Sequence, residues 1–238
     1  MYEKFKKCLD LEKDYVHVEN DGSYYYEMEN GKLTIYLEWS NGKVDWINNF
    51  NFIPECRIGF KRIWALIVAF FKAIIFNAQM PKQSYKDMEN KWYCHRGFLK
   101  VWKSIEPYLK DIVMDEAVKE IEVIGYSHGG GVAQLCYEWV KFWRPDVKAT
   151  GYGFGAPRIF WGNASETVKK RFQGFTVVRN GDDLITHLPP TLFGFSDICP
   201  ILEIGEYNGG IADHYPERYL EALKELDRIL EEFDEVSC

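Results

Sequence analysis

The sequence predicts an α/β fold in which a mostly parallel central sheet is flanked by helices and preceded by an N-terminal hairpin. Three observations carry the prediction. From Lys119 onward, short apolar runs alternate with longer segments of helical period, the pattern that builds parallel sheets. Near the start, Asn30-Gly31 separates two alternating apolar stretches. No repeat, low-complexity stretch or Pro/Gly/Ser-rich linker divides the 238 residues, so 1–238 reads as one domain, long enough to bury a substantial core.

Residues 24–28 and 32–37 form the predicted hairpin, because both turn residues tolerate positive φ. Leu33, Ile35 and Leu37 then share one face, directed at the core. Residues 63–76 are almost wholly apolar, interrupted by Lys72 and preceded by Arg57, Lys61 and Arg62. This run is short of the about 20 residues that a bilayer span needs. A buried core helix, a lid over an apolar site and a helix docking on a lipid interface all fit it. Residues 121–125 read as a strand and 129–143 as a helix, with Val132, Leu135, Cys136, Trp139, Val140 and Trp143 at helical spacing and Pro145 as the stop. Residues 150–155 and 175–178 are later strands. Residues 216–233 close the chain as an amphipathic helix with Tyr219, Leu220, Leu223, Leu226, Ile229 and Leu230 on its inner face.

Composition excludes several classes of function. A hydrophobic content of 47% with 27% charged residues is ordinary for a globular protein, and 16% aromatics suits an apolar pocket. A formal net charge of -7 argues against a nucleic-acid binder, since phosphate backbones are held by basic faces. The six cysteines contain no CxxC pair, so neither a zinc site nor a redox dithiol is supported, and no metal or cofactor is implied. The opening residues, Met1 to Lys7, are polar rather than an apolar leader. On that reading the thiols are reduced and mostly buried, and the protein is cytoplasmic, peripheral at membranes at most.

Gly125-Tyr126-Ser127-His128-Gly129 matches G-x-S-x-G. The pentapeptide is weak by itself; an apolar strand running in and a helix running out give it weight. Such a turn needs glycine at its flanks, where backbones approach closely. It lifts a serine hydroxyl to a helix N-terminus, where free N–H groups favour developing negative charge. A serine nucleophile needs a histidine base oriented by a carboxylate, in the chain order Ser, acid, His for this kind of sheet. Of the five histidines, His17 and His95 precede Ser127, and His128 belongs to the turn itself. His187 lies four residues beyond Asp183, in the same loop. His214 precedes the last helix, the expected position of the base. Asp182 and Asp183 follow a predicted strand, where an acid of such a sheet belongs.

These motifs together resemble the class 3 lipase family, the fungal triacylglycerol lipase type of α/β-hydrolase. His95-Arg96-Gly97-Phe98 resembles its H-x-G-F block, and Gly155-Ala156-Pro157-Arg158 its G-x-P-R block. Residues 180–190 resemble N-x-x-D-x-V-P-x-L-P-P, which puts the catalytic acid on Asp183. Asp213-His214-Tyr215 resembles the D-H-x-x-Y block that carries the base. The resemblance, spanning roughly residues 30 to 220, implies an α/β-hydrolase fold and hydrolysis of a carboxylic ester, a lipid ester above all, through Ser127, Asp183 and His214. It puts the oxyanion donors on Ser40, in register with Asp45-Trp46-Ile47, and on the backbone N–H of His128. Glu38 and Trp39 depart from the arginine and glycine the family carries before the hydroxyl residue. The family's lid falls between the D-W and H-x-G-F blocks, so the resemblance raises a lid or interfacial helix above a core helix for residues 57–80, with 57–76 as the contact to a membrane or lipid surface. A phospholipase, galactolipase or acyltransferase on the same triad, and a lipid-binding relative without catalysis, are the alternatives. Oligomeric state is not legible.

Overall fold

The computed structural model describes residues 1–38, 78–79, 92–162, 164–207 and 209–236. Residues 57–76, Ser40 and Trp39 fall outside that set. Its centre is a seven-stranded sheet in the order β1-β2-β3-β6-β7-β9-β11. These strands are β1 (Val16–His17), β2 (Ser23–Glu29), β3 (Lys32–Leu37), β6 (Glu120–Tyr126), β7 (Lys148–Phe154), β9 (Phe175–Asn180) and β11 (Ile201–Ile204). β2 runs antiparallel to both β1 and β3, and β3, β6, β7, β9 and β11 run parallel. The hairpin turns at Asn30 and Gly31, both at positive φ, as the sequence predicts. A second sheet, in the order β10-β8-β5-β4, joins Phe195–Ser196 (β10), Phe160–Trp161 (β8), Tyr93–His95 (β5) and Ala78–Gln79 (β4), all antiparallel.

Alternation along the strands sorts side chains into two cores, one on each face of the large sheet. Leu33, Ile35, Leu37, Ile121 and Val123 face one side. There they meet α2 (Arg96–Val113) and α3 (His128–Trp143) through Phe98, Trp102, Ile105, Val132, Trp139 and Val140. Tyr36, Ile124, Tyr126, Phe154 and Val178 face the other side, against Phe5 and Cys8 of α1 (Tyr2–Asp10) and Tyr219 and Leu223 of α5 (Pro216–Val236), the short α4 (Glu166–Arg171) lying between β8 and β9 in the chain. Covered faces on both sides explain why β3 buries Thr34 and Tyr36 as well as the predicted Leu33, Ile35 and Leu37. Glu122 of β6 is buried among these side chains; burial raises its carboxyl, and the ammonium groups of Lys32 and Lys4 outweigh that and hold it below the usual range.

α3 ends at Trp143, ahead of Pro145, as expected. Its C-cap residue Arg144 reaches back to the carbonyls of Val113 at 2.6 Å and Val118 at 3.0 Å, so one guanidinium ties the ends of both helices on this face. α5 departs from expectation in its last turns. Tyr219 and Leu223 are buried, but Ile229 and Leu230 are 37% and 50% exposed. The inner face therefore stops near Leu226. Four of the cysteines, Cys8, Cys94, Cys136 and Cys199, are free and buried. Among the described residues, no helix is long and apolar enough to cross a membrane.

Because β3 is central and packed on both faces, Ile35→Ala is expected to cost about 3 kcal/mol of stability. Urea unfolding should show a lower midpoint at an unchanged slope; an unchanged midpoint would mean that this strand is not part of the core.

Candidate functional site

Ser127 joins β6 to α3 at φ 52 and ψ -119, left-handed backbone that a residue with a Cβ occupies only under constraint. The constraint is the closeness of the flanking chains. A Cβ on Gly125 would lie 2.3 Å from the Gly129 carbonyl oxygen, and one on Gly129 would lie 2.2 Å from that of Leu37. Only glycine fits at either place. The Ser127 N–H donates to the Phe154 carbonyl at 2.8 Å, and the Gly131 N–H donates to the Ser127 carbonyl at 3.2 Å. The hydroxyl thus stands where the strand ends and the helix begins, beside backbone N–H groups that have no acceptor within the helix.

His214 lies in the 3-10 turn Gly210–His214 that follows β11 and precedes α5. Its Nε2 is 2.8 Å from Ser127 Oγ, and its Nδ1 is 2.8 Å from Asp183 Oδ2. Asp183 follows β9 and N-caps the 3-10 turn Leu184–His187. It is wholly buried, so its carboxylate must be satisfied by protein donors. Oδ1 accepts from the Ile185 N–H at 2.9 Å, and Oδ2 accepts from the Tyr219 hydroxyl at 2.6 Å in addition to His214. Gly155, at φ 56, passes beneath this pair; a Cβ there would lie 3.0 Å from His214 Cε1. The loop that carries His214 is itself pinned. Asp213 Oδ2 accepts from the N–H groups of Asp182 at 2.9 Å and Gly209 at 3.1 Å, and Asn180 Nδ2 donates to the Asp213 carbonyl at 2.9 Å. The Tyr126 hydroxyl donates to the His214 carbonyl.

The structure therefore brings together Ser127, Asp183 and His214, the three residues the sequence paired. His187 stands apart, its Nε2 3.7 Å from the carboxylate of Asp182. His128 points away from the hydroxyl of its neighbour and stacks on Phe98, ring centroids 5.0 Å apart. Burial pushes its imidazole down to about 4, Asp21 opposing and His95 adding to the effect. Burial does the same to His95, also to about 4. Its Nδ1 accepts from the Gly97 N–H at 3.1 Å and so caps α2, a contact that only the neutral ring can make. What His128 can offer is its backbone N–H at the start of α3. Ser40 lies outside the described residues. Two residues escaped sequence reasoning, Tyr126 and Tyr219. The available signal was that a buried tyrosine seeks a partner for its hydroxyl.

The family described as Lipase (class 3) matches residues 64–193 of this chain. Among curated relatives, a secreted mono- and diacylglycerol lipase of Fusarium solani is 26% identical over 110 residues, covering 44% of this chain and 32% of that protein. The secreted mono- and diacylglycerol lipase LIP2 of Malassezia restricta is 22% identical over 210 residues, covering 83% of this chain and 66% of that protein. The chain thus spans between about a third and two thirds of the length of these relatives. Among solved structures, a Rhizomucor miehei lipase in complex with its propeptide aligns with TM-score 0.57 at 20% identity, over 80% of this chain and 56% of that one. A mono- and diacylglycerol lipase from Aspergillus oryzae aligns with TM-score 0.54 at 17% identity, over 79% and 61%. At these identities the likeness shows the fold, and it is the α/β-hydrolase fold expected above. The cytoplasmic expectation is corrected, because both curated relatives are named as secreted proteins. That expectation rested on the polar opening residues. Residues 2–10 form α1, whose Phe5 and Cys8 are packed in the core, so they report on the fold and not on where the protein works.

His95 and His128 are neutral in the folded protein down to about pH 4, whereas in the unfolded chain they take up protons near 6.5. Their contribution to stability is therefore complete above about pH 6.5 and is lost as the pH falls from there towards 4. Urea midpoints recorded from pH 8 to 4 should decline across that window, and less steeply in His128→Gln; a variant slope equal to that of the parent would rule the cause out.

Proposed function

The chain belongs to the class 3 lipase family, and on that premise we propose that it is a serine hydrolase that cleaves lipid esters through an acyl-enzyme on Ser127. The observation that carries this reading is the relay of two 2.8 Å contacts, Ser127 Oγ to His214 Nε2 and His214 Nδ1 to Asp183 Oδ2. His214 takes the serine proton as Oγ attacks the ester carbonyl, and returns it to the leaving alcohol. Asp183 fixes the tautomer of His214 and stabilises the imidazolium formed in that step. The N–H of His128, at the start of α3, binds the oxyanion, a contact worth roughly 3 kcal/mol in comparable sites. Ser40 is the second donor on the strength of the family resemblance alone. A water then attacks the acyl-enzyme, with His214 again accepting the proton.

The relatives named as mono- and diacylglycerol lipases support a neutral glyceride as substrate, and their names support action outside the cell. The large sheet common to both cores supports reading residues 1–238 as one domain.

Ser127→Ala should abolish turnover of short p-nitrophenyl esters while leaving the thermal midpoint nearly unchanged. Retained turnover would remove the central claim. Rates on emulsified diacylglycerol, phospholipid and a soluble ester then identify the substrate class; a faster phospholipid reaction would move the assignment to a phospholipase.

A further inference from the structure

Tyr126 occupies the first variable position of the G-x-S-x-G turn, one peptide bond from Ser127, yet its side chain leaves the opposite face of β6. It is buried in the core formed with α1 and α5, against Phe5 at 5.2 Å and Tyr219 at 5.9 Å between ring centroids. From there its ring lies nearly parallel to the imidazole of His214, with centroids 5.3 Å apart and 22° between the planes. Its hydroxyl donates to the backbone carbonyl of His214, 88 residues away in the chain. Burial keeps this phenol protonated, so it donates at every working pH.

We propose that Tyr126 is a positioning residue for His214: one side chain, tethered to the proposed nucleophile, sets the plane of the base through its ring face and the position of its backbone through its hydroxyl. The inference rests on the reading of Ser127 and His214 given above. An aromatic face carries negative charge density, so a ring stacked on imidazole favours the imidazolium over the neutral form. The imidazolium forms only once Ser127 has given up its proton, so the contact strengthens along the reaction and acts on kcat. The charged and titratable groups around this pair, among the described residues, are Asp183 beyond β9, Asp213 in the turn of His214, Glu217 and Tyr219 of α5, and Cys8 of α1. All of them are common to the variants below, so a displaced titration reports on Tyr126.

Two variants separate the two contacts. In Tyr126→Phe the ring stays and the hydroxyl goes; kcat on a soluble ester should fall about fivefold, the size of one net hydrogen bond, with KM and the acid limb of kcat/KM unmoved. In Tyr126→Leu the π face goes too; kcat should fall roughly tenfold and the acid limb should move down by about half a pH unit. An NMR titration of the His214 ring reads the same displacement without any turnover. A limb and a titration that stay in place in Tyr126→Leu overturn the proposal. If that variant does not fold, Tyr126→Phe decides: a loss in kcat at constant KM supports the role, and an unchanged kcat overturns it. A parent protein that neither hydrolyses esters nor takes a fluorophosphonate label defeats the hydrolase reading instead, and the His214 titration then still decides for or against Tyr126.

Discussion

The site depends on how closely α3 leaves β6. Two glycines without side chains, Gly125 and Gly129, let the helix start directly over the ends of β3 and β6. That closeness puts the Ser127 hydroxyl and the first free N–H groups of the helix into the same small volume, which acyl-transfer chemistry requires. It also forces Ser127 to a φ of 52, a conformation that costs of order 1–3 kcal/mol for a residue with a side chain. The surrounding structure sustains the strain. Ser127 is tied to β7 through Phe154 and to α3 through Gly131, and both faces of β6 are packed, by α2 and α3 on one side and α1 and α5 on the other.

What the sequence made legible was whatever recurs at short range. The parallel half of the sheet, the hairpin at Asn30-Gly31 and the helix ending before Pro145 all announce themselves within a dozen residues. The choice of Asp183 over Asp182 came from the spacing of a family block, and the structure supplies its physical basis: Asp183 is wholly buried and bonded, while the side chain of Asp182 is 58% exposed. Tyr126 and Tyr219 were invisible as functional residues because their hydroxyl partners lie 88 and 36 residues away. Helical period places Tyr219 on the inner face of α5 but says nothing about what its hydroxyl meets. The same period overreached at Ile229 and Leu230. A helix of 21 residues extends about 30 Å, whereas β11, at the edge beneath it, is only four residues long, about 13 Å. The helix outruns the sheet. The strands of the second sheet are two or three residues long, too short to show any period.

The histidines near the serine differ in what each ring faces. His128 is the next residue in the chain, and His95 caps the helix packed against it. Each is held among apolar rings, where a charged imidazole loses its hydration, and burial lowers both to about 4. His214 is buried as well, but it faces the carboxylate of Asp183 at 2.8 Å. In the proposed relay the base is His214, the ring held at hydrogen-bond distance from a wholly buried carboxylate. The two hydrogen bonds that Asp183 takes from Ile185 and Tyr219 keep it aimed at the ring of His214, and this links the proposed relay at Ser127 to the packing of α5 against the sheet.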